Sequence, residues 1–126
     1  MLERDWSDKT ILIAEDEKIN FLFLKSVFKK SGAIILWAQN GREVIEICEQ
    51  REDDIDIILM DIKMPDIDGL EATRQIKQKN PNISIIAQTA YTFAEDQERA
   101  AEAGCDDFLA KPIRPRNLLA IVDKHL

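Results

Sequence analysis

The sequence has little of what would staple or stiffen a chain. Its 126 residues include two cysteines, four glycines, four prolines, one histidine and one tyrosine. Cys48 and Cys105 stand far apart and outside any Cys-x-x-Cys pair. That excludes a disulfide framework and a zinc site and suits a reducing compartment, with both thiols read as small hydrophobes. No apolar run reaches the roughly 18 residues of a spanning helix. The opening Met1-Leu2-Glu3-Arg4-Asp5-Trp6 lacks the charged and apolar regions of a secretory signal. The expectation is a cytoplasmic chain with no membrane partner. Positive charge is also short: 17 Lys and Arg against 24 Asp and Glu leave a net charge of −7. The chain as a whole therefore has no electrostatic footprint for direct nucleic-acid binding. With 45% apolar residues and no low-complexity stretch, it reads as one globular domain.

What is present is an alternation of short apolar runs with longer stretches of helical period. The runs are Thr10–Ala14, Ala33–Ala38, Ile55–Met60, Ile83–Thr89 and Asp107–Ala110. Near-continuous apolar character, rather than strict alternation, is what strands covered on both faces look like. Between and after them lie candidate helices over Ile19–Lys30, Arg42–Gln50, Leu70–Lys79, Ala94–Ala103 and Arg114–His125. In the first, Phe23, Leu24, Val27 and Phe28 form the stripe expected to face the core, leaving Phe21 and Leu22 either partly buried at the first turn or part of a docking patch. Five strand-helix pairs with short connections imply an α/β fold, a (βα)5 doubly wound, five-stranded parallel sheet over residues 10–126, with 1–9 as an N-terminal tail.

Ligands of such sheets sit beyond the carboxyl ends of the strands. There the first strand ends in Glu15-Asp16, the third in Asp61, the fourth in Thr89-Ala90 and the fifth in Lys111-Pro112. Three carboxylates at about 4 Å repel by on the order of 4 kcal/mol per pair at an effective dielectric near 20, so a cation is expected. All-oxygen ligands on a solvent-facing edge suit Mg²⁺, which keeps waters and leaves room for a phosphoryl oxygen. A carboxylate nucleophile, a divalent ion, a lysine and a hydroxyl donor are the parts of phosphoryl transfer to an aspartate. Asp61, central among the strand ends, is the candidate acceptor, and the small Ala90 beside Thr89 leaves a phosphoryl group space.

Ala14-Glu15-Asp16-Glu17, Met60-Asp61-Ile62-Lys63-Met64-Pro65-Asp66-Ile67-Asp68-Gly69, Gln88-Thr89-Ala90 and Ala110-Lys111-Pro112, in order and at suitable spacing, resemble the receiver domain of two-component response regulators, the CheY-like, flavodoxin-like fold with strand order 2-1-3-4-5. The resemblance implies that Asp61 accepts phosphoryl from a histidine kinase or histidine phosphotransfer protein. It implies that Glu15, Asp16, Asp61 and the main-chain carbonyl of Lys63 bind Mg²⁺, and that Thr89, Ala90 and Lys111 contact the phosphoryl group. It further implies a cis bond before Pro112, a switch made by Thr89 and Phe108, donor docking on the first helix at Leu22, and tuning of dephosphorylation by Lys63 and Tyr91. Self-phosphorylation and slow autodephosphorylation would be the only enzymatic acts of the isolated domain, a monomer or weak phosphorylation-dependent dimer. The wording around Asp61 and Lys111 resembles receivers attached to hybrid histidine kinases.

Two features depart from the commonest pattern: the first acidic position is Glu15, one methylene longer than Asp, and Phe108 lacks the hydroxyl of a switch tyrosine. Two other classes compete. A phosphate-independent pseudo-receiver would lack one of the site residues, yet Glu15, Asp16, Asp61, Thr89 and Lys111 are all present. A phosphohydrolase of the haloacid dehalogenase type needs a second Asp two residues after the nucleophile, where Lys63 stands. Asp66-Ile67-Asp68-Gly69 faintly resembles a calcium loop, but its register would start at Met64 and end at Gln75. His125, the sole histidine, suits a helix C-terminus as a cation.

Overall fold

The structure is a computed structural model, and it describes residues 4–51, 53–90 and 94–126. The elements run β1 (Thr10–Ala14), α1 (Lys18–Val27), a 3₁₀ turn (Lys29–Ser31), β2 (Ile34–Ala38), α2 (Gly41–Gln50), β3 (Ile57–Asp61), α3 (Gly69–Lys79), β4 (Ser84–Thr89), α4 (Ala94–Ala103), β5 (Asp107–Ala110) and α5 (Pro115–His125). All strands pair in parallel in the order β2-β1-β3-β4-β5. This is the doubly wound sheet expected from the alternation of apolar runs.

Side-chain alternation divides the core into two layers. Ile11, Ile13, Ile57, Leu59 and Ile86 pack with Phe21 and Leu24 of α1, Phe28 at its C-cap, and Leu118 and Val122 of α5. Leu12, Ile58, Met60 and Ile85 point the other way, onto Val44 of α2 and Ala72 and Ile76 of α3. β1 and β3 are buried at every position, as a strand covered on both faces must be. Helix starts are fixed locally: Asn40 accepts the Glu43 N–H at 2.9 Å and Asp68 the Glu71 N–H at 2.9 Å. β3 joins the ladder at Ile57 rather than Ile55 because Asp56 is used otherwise. Its carboxylate accepts the Thr10 N–H at 2.8 Å and its own N–H donates to Thr10 O at 3.0 Å, clamping the start of β1.

One expectation changes. Of the expected stripe Leu24, Val27 and Phe28 meet the core, but Phe23 does not, and Phe21 takes its place. Phe23 is 43% exposed, while Phe21 lies under the sheet stacked on Trp37 with centroids 4.5 Å apart. Adjacent Phe-Leu-Phe-Leu residues support either phase, and the aromatic stack with Trp37 selects this one. Within the N-terminal tail, Trp6 is 6% exposed, donates its N–H to Ser31 O at 2.8 Å and sits against Phe28.

The contrast is measurable by urea unfolding. Trp6→Ala should destabilise by roughly 3–5 kcal/mol, as for a buried aromatic, whereas Phe23→Ala should stay within about 0.5 kcal/mol of wild type. Equal effects would show that the core stripe is misassigned.

Candidate functional site

Register brings the carboxyl ends of the strands level. Ala14 pairs with Met60, Asp61 with Gln88 and Thr89 with Ala110, so Glu15, Asp61, Thr89 and Lys111 come off neighbouring strands at one edge. Backbone bonds hold these ends: the Glu15 N–H donates to Ala38 O at 2.9 Å, Ile62 N–H to Gln88 O at 3.1 Å and Lys111 N–H to Thr89 O at 2.7 Å. The Trp37 indole N–H donates to the main-chain oxygen of Glu15 at 2.8 Å. After Asp61 the chain doubles back on α3, and a Cβ on Gly69 would overlap the carbonyl of Asp61 and Cα of Ile62. Only glycine lets the helix start this close to the strand end. Gly41 plays the same part against the carbonyl of Ile67. Asp66, at φ 68°, is paired with Arg42 at 2.7 Å, and Asp68 caps α3, so the stretch resembling a calcium loop is occupied with shaping the turn.

Each of Glu15, Asp16 and Asp61 offers a carboxylate oxygen within 4.8 Å of the other two. Glu15 and Asp61 are buried and Asp16 is exposed. Lys111 Nζ stands 3.1 Å from Asp61 Oδ2 and 3.6 Å from Glu15 Oε2. Asp61 Oδ1 accepts the Lys63 N–H at 3.1 Å, and Glu15 Oε1 accepts the Glu17 N–H at 3.2 Å. Burial, reinforced by the charge of Asp61, pushes the Glu15 carboxyl above its ordinary range despite Lys111. Burial pulls the Lys111 ammonium down, but Asp61 and Glu15 outweigh it and the net shift is upward. Glu15 Oε2 is buried without a hydrogen-bond partner. A buried carboxylate oxygen without a hydrogen-bond partner, beside two other acids, is free to coordinate, so the donor set fits a hard divalent ion with oxygen ligands.

Two cavities open on the cluster from opposite sides. One, about 620 Å³, is lined by Asp16, Lys63, Thr89 and, from α4, Arg99. The other, about 570 Å³, lies toward α1 and the β5–α5 connection and is lined by Glu15, Ala90, Lys111 and Pro112 with apolar walls from Phe23, Leu24 and Ile113. The Lys111-Pro112 peptide is cis. Phe108 is half-buried on β5, next to Ala87 in register. Leu22 is 48% exposed but belongs to the opposite flank of α1 from the second cavity, which Phe23 lines instead. Tyr91 lies outside the described residues.

Sequence reasoning missed three contributors. Gln88, fully buried between Asp61 and Leu109 in register, has neither amide atom hydrogen-bonded. Trp37 gives no sign in the sequence, beyond its place in a strand, of its indole bond to the Glu15 carbonyl. His125 Nε2 lies 2.9 Å from Asp107 Oδ2, so the histidine clasps α5 to the start of β5 as well as ending a helix. Burial raises the Asp107 carboxyl, but His125, the Phe108 N–H and Lys124 together hold it below its usual range.

A parallel five-stranded sheet whose carboxyl edge presents two buried carboxylates, an exposed third and a lysine is the architecture of a receiver. The family model for the response regulator receiver domain matches residues 11–123, and the chain belongs to this family. Among curated proteins it is similar to the polar-differentiation response regulator DivK of Brucella anthropi, 32% identical over 94% of this chain and 96% of DivK. It is also similar to the hybrid signal transduction histidine kinase I of Dictyostelium discoideum, 35% identical over 92% of this chain but only 7% of the kinase. Among solved structures, the receiver domain of a sensor histidine kinase from Pseudomonas aeruginosa superposes with a TM-score of 0.84, at 30% identity over 93% of this chain and 96% of that one. That structure has a magnesium ion coordinated in its active site cleft. The protein is thus a receiver domain of two-component signalling, and among the described residues no helix is long and apolar enough to cross a membrane.

The raised Glu15 carboxyl has a measurable sign. An acid held above its unfolded value gives stability that is complete below the ordinary glutamate range and is lost as pH rises through the folded value. In metal-free buffer Glu15→Gln should therefore raise the thermal midpoint at neutral pH, with the gain closing as the pH is lowered. A constant difference across pH would contradict the repulsion.

Proposed function

We propose that Asp61 is the phosphoacceptor of a phosphorelay, taking its phosphoryl group from a phosphohistidine of a histidine kinase or histidine phosphotransfer protein in a Mg²⁺-dependent reaction. The observation that carries this reading is the placement of Asp61: a carboxylate at the end of the central strand, within 4.8 Å of two more and 3.1 Å from an ammonium. Glu15, Asp16, Asp61 and the carbonyl of Lys63 would hold the ion, which when bound supplies positive charge to the phosphoryl oxygens. An oxygen of Asp61 forms the new P–O bond as the P–N bond to the donor imidazole breaks, and the imidazole leaves with that electron pair and takes up a proton.

Lys111 is already directed at Asp61 and would donate to one phosphoryl oxygen, with Thr89 donating to another and Ala90 leaving space. The added phosphate brings about −1.5 to −2 charges and three acceptors, shifting a pre-existing equilibrium in which Thr89 moves in and the ring of Phe108 follows. The donor helices dock beside the 570 Å³ cavity, on the exposed apolar residues Ile19 and Phe23 of α1, 81% and 43% exposed, rather than on Leu22 across the helix. Autophosphorylation from small donors and slow dephosphorylation complete the activity of the isolated domain. It works in the cytoplasm as a monomer or weak phosphorylation-dependent dimer, without direct nucleic-acid contact, and in a hybrid kinase if the likeness to such receivers extends to the whole protein.

Acetyl phosphate with Mg²⁺ should label the wild type and fail to label Asp61→Asn; retained labelling would remove the assignment. Mg²⁺ should raise the thermal midpoint of the wild type and leave that of Asp16→Asn unchanged. For docking, Phe23→Lys should slow transfer from the cognate phosphohistidine protein while acetyl phosphate labelling persists, and loss of both would point to misfolding instead.

A further inference from the structure

Lysine is unevenly placed in this acidic chain. From Lys18 to Arg42 there are five cations and no carboxylate, whereas the remaining residues carry 12 Lys and Arg against all 24 acids. Arg42 is committed to Asp66. The other four, Lys18, Lys25, Lys29 and Lys30, are exposed and make no ion pair among the described residues. Four unneutralised ammoniums on one helix and the turn after it are a local positive field on a molecule whose net charge is −7.

The field has a concavity beside it. A groove of about 360 Å³ runs between α1 and β2, walled by Leu22, Ala33 and Ile35, floored by the buried Phe28 and rimmed by Lys25 and Lys29. Ser26, also on its lining, already donates its hydroxyl proton to Phe23 O at 2.6 Å, so its proton is not available to an occupant. β2 is an edge strand, so nothing in the sheet covers this side, and Ile34 next to the groove is 51% exposed. The residues of α1 that face it, Leu22, Lys25 and Ser26, stand at i, i+3 and i+4. Phe23 and Leu24 face the other cavity, across the helix, beside Lys111. One helix thus separates two recesses, and only one of them adjoins the phosphorylation site.

We propose that the α1–β2 groove is a second interaction surface, independent of phosphoryl transfer, and that it takes an acidic amphipathic protein segment whose carboxylates meet Lys25 and Lys29 while an apolar side chain enters between Leu22 and Ile35. The chemistry selects this occupant over an anionic bilayer. A membrane presents a broad negative plane that meets the whole acidic molecule, whereas a peptide senses charges within about 10 Å, where the lysines dominate. A concave recess also suits an inserted side chain better than a flat headgroup layer does.

The test is fluorescence anisotropy with a labelled helix-forming peptide bearing glutamates on one face and leucines on the other. Saturable binding to the full chain that weakens with salt is expected. The Lys25→Glu/Lys29→Glu variant should lose about tenfold or more in affinity, and Lys25→Ala/Lys29→Ala should fall between it and wild type. Both should keep wild-type acetyl phosphate labelling, because neither lysine is near Asp61. Phe23→Ser, across the helix, should leave peptide affinity unchanged. Undiminished binding by the charge-reversed variant overturns the proposal, as does saturable binding to phosphatidylserine vesicles but not to the peptide. Loss of affinity in Phe23→Ser would move the peptide to the donor-docking side and equally overturn it, without touching the phosphoacceptor reading, which rests on Asp61 labelling.

Discussion

The electrostatic constraint at the sheet edge is the crowding of Glu15, Asp16 and Asp61 within 4.8 Å. With all three ionised, each close pair costs on the order of 4 kcal/mol at an effective dielectric near 20, and one lysine answers three carboxylates. The remaining imbalance is two negative charges, which a divalent cation matches and a second lysine would not. Glu15 shows the cost directly, since burial and Asp61 together push its carboxyl upward while one of its oxygens stays without a hydrogen-bond partner. Such an arrangement survives only if the backbone beneath it does not yield. The main-chain bonds from Glu15, Ile62 and Lys111, together with the Trp37 indole on the carbonyl of Glu15, supply that stiffness.

The fold provides the stiffness cheaply because β1 and β3 are buried on both faces. Apolar residues run without interruption to the last strand position, and the polarity changes only at the edge, where α1 and α3 no longer cover the chain. Strand order reverses between β1 and β3, and the crevice this leaves at the carboxyl ends is where their carboxylates project. The close start of α3 makes the crevice shallow: Gly69 removes the side chain that would hold the helix away from the carbonyl of Asp61. A neighbouring cavity on each side leaves the carboxylates reachable from α4 and from α1.

Strand positions and strand-end chemistry were legible because both are local. β1, α4 and β5 begin and end where the apolar runs and helical period place them, and Glu15, Asp61 and Lys111 stand in sequence at the points where those runs stop. The phase of α1 was not legible, since four consecutive large apolar residues satisfy several faces and only the stack of Phe21 on Trp37, sixteen residues away in the chain, decides among them. Trp6 was hidden for a related reason. Its partners, Ser31 and Phe28, are supplied by a turn more than twenty residues later, and nothing in Asp5-Trp6-Ser7 announces them. The pairing of His125 with Asp107 likewise depends on how α5 returns across β5. The need for the glycines at 41 and 69 lies in backbone approaches that only the folded chain contains.

The two sides of the carboxylate cluster differ in how they can respond to a change of charge. On the β1 side, Glu15 is tied through its carbonyl to Trp37, which is stacked on Phe21 in the core, and α1 with its C-cap contributes Phe21, Leu24 and Phe28 to that layer. On the β5 side the strand has four residues, only Leu109 of them buried, and α4 buries just Ala100 and Ala103. Small buried side chains give little dispersion energy and little hydrophobic area, so this flank is the softer one. Thr89 and Lys111 share a main-chain hydrogen bond of 2.7 Å, which couples the ends of β4 and β5, and the half-buried ring of Phe108 lies three residues before that junction. Under the proposed phosphorylation, negative charge added at Asp61 would attract Lys111 and any donor on Thr89, and both pulls would reach the compliant pair of strands before the β1 wall. The proposed signal would therefore leave through β4, β5 and α4, while the α1 side, held by the Trp37–Phe21 stack, would yield least.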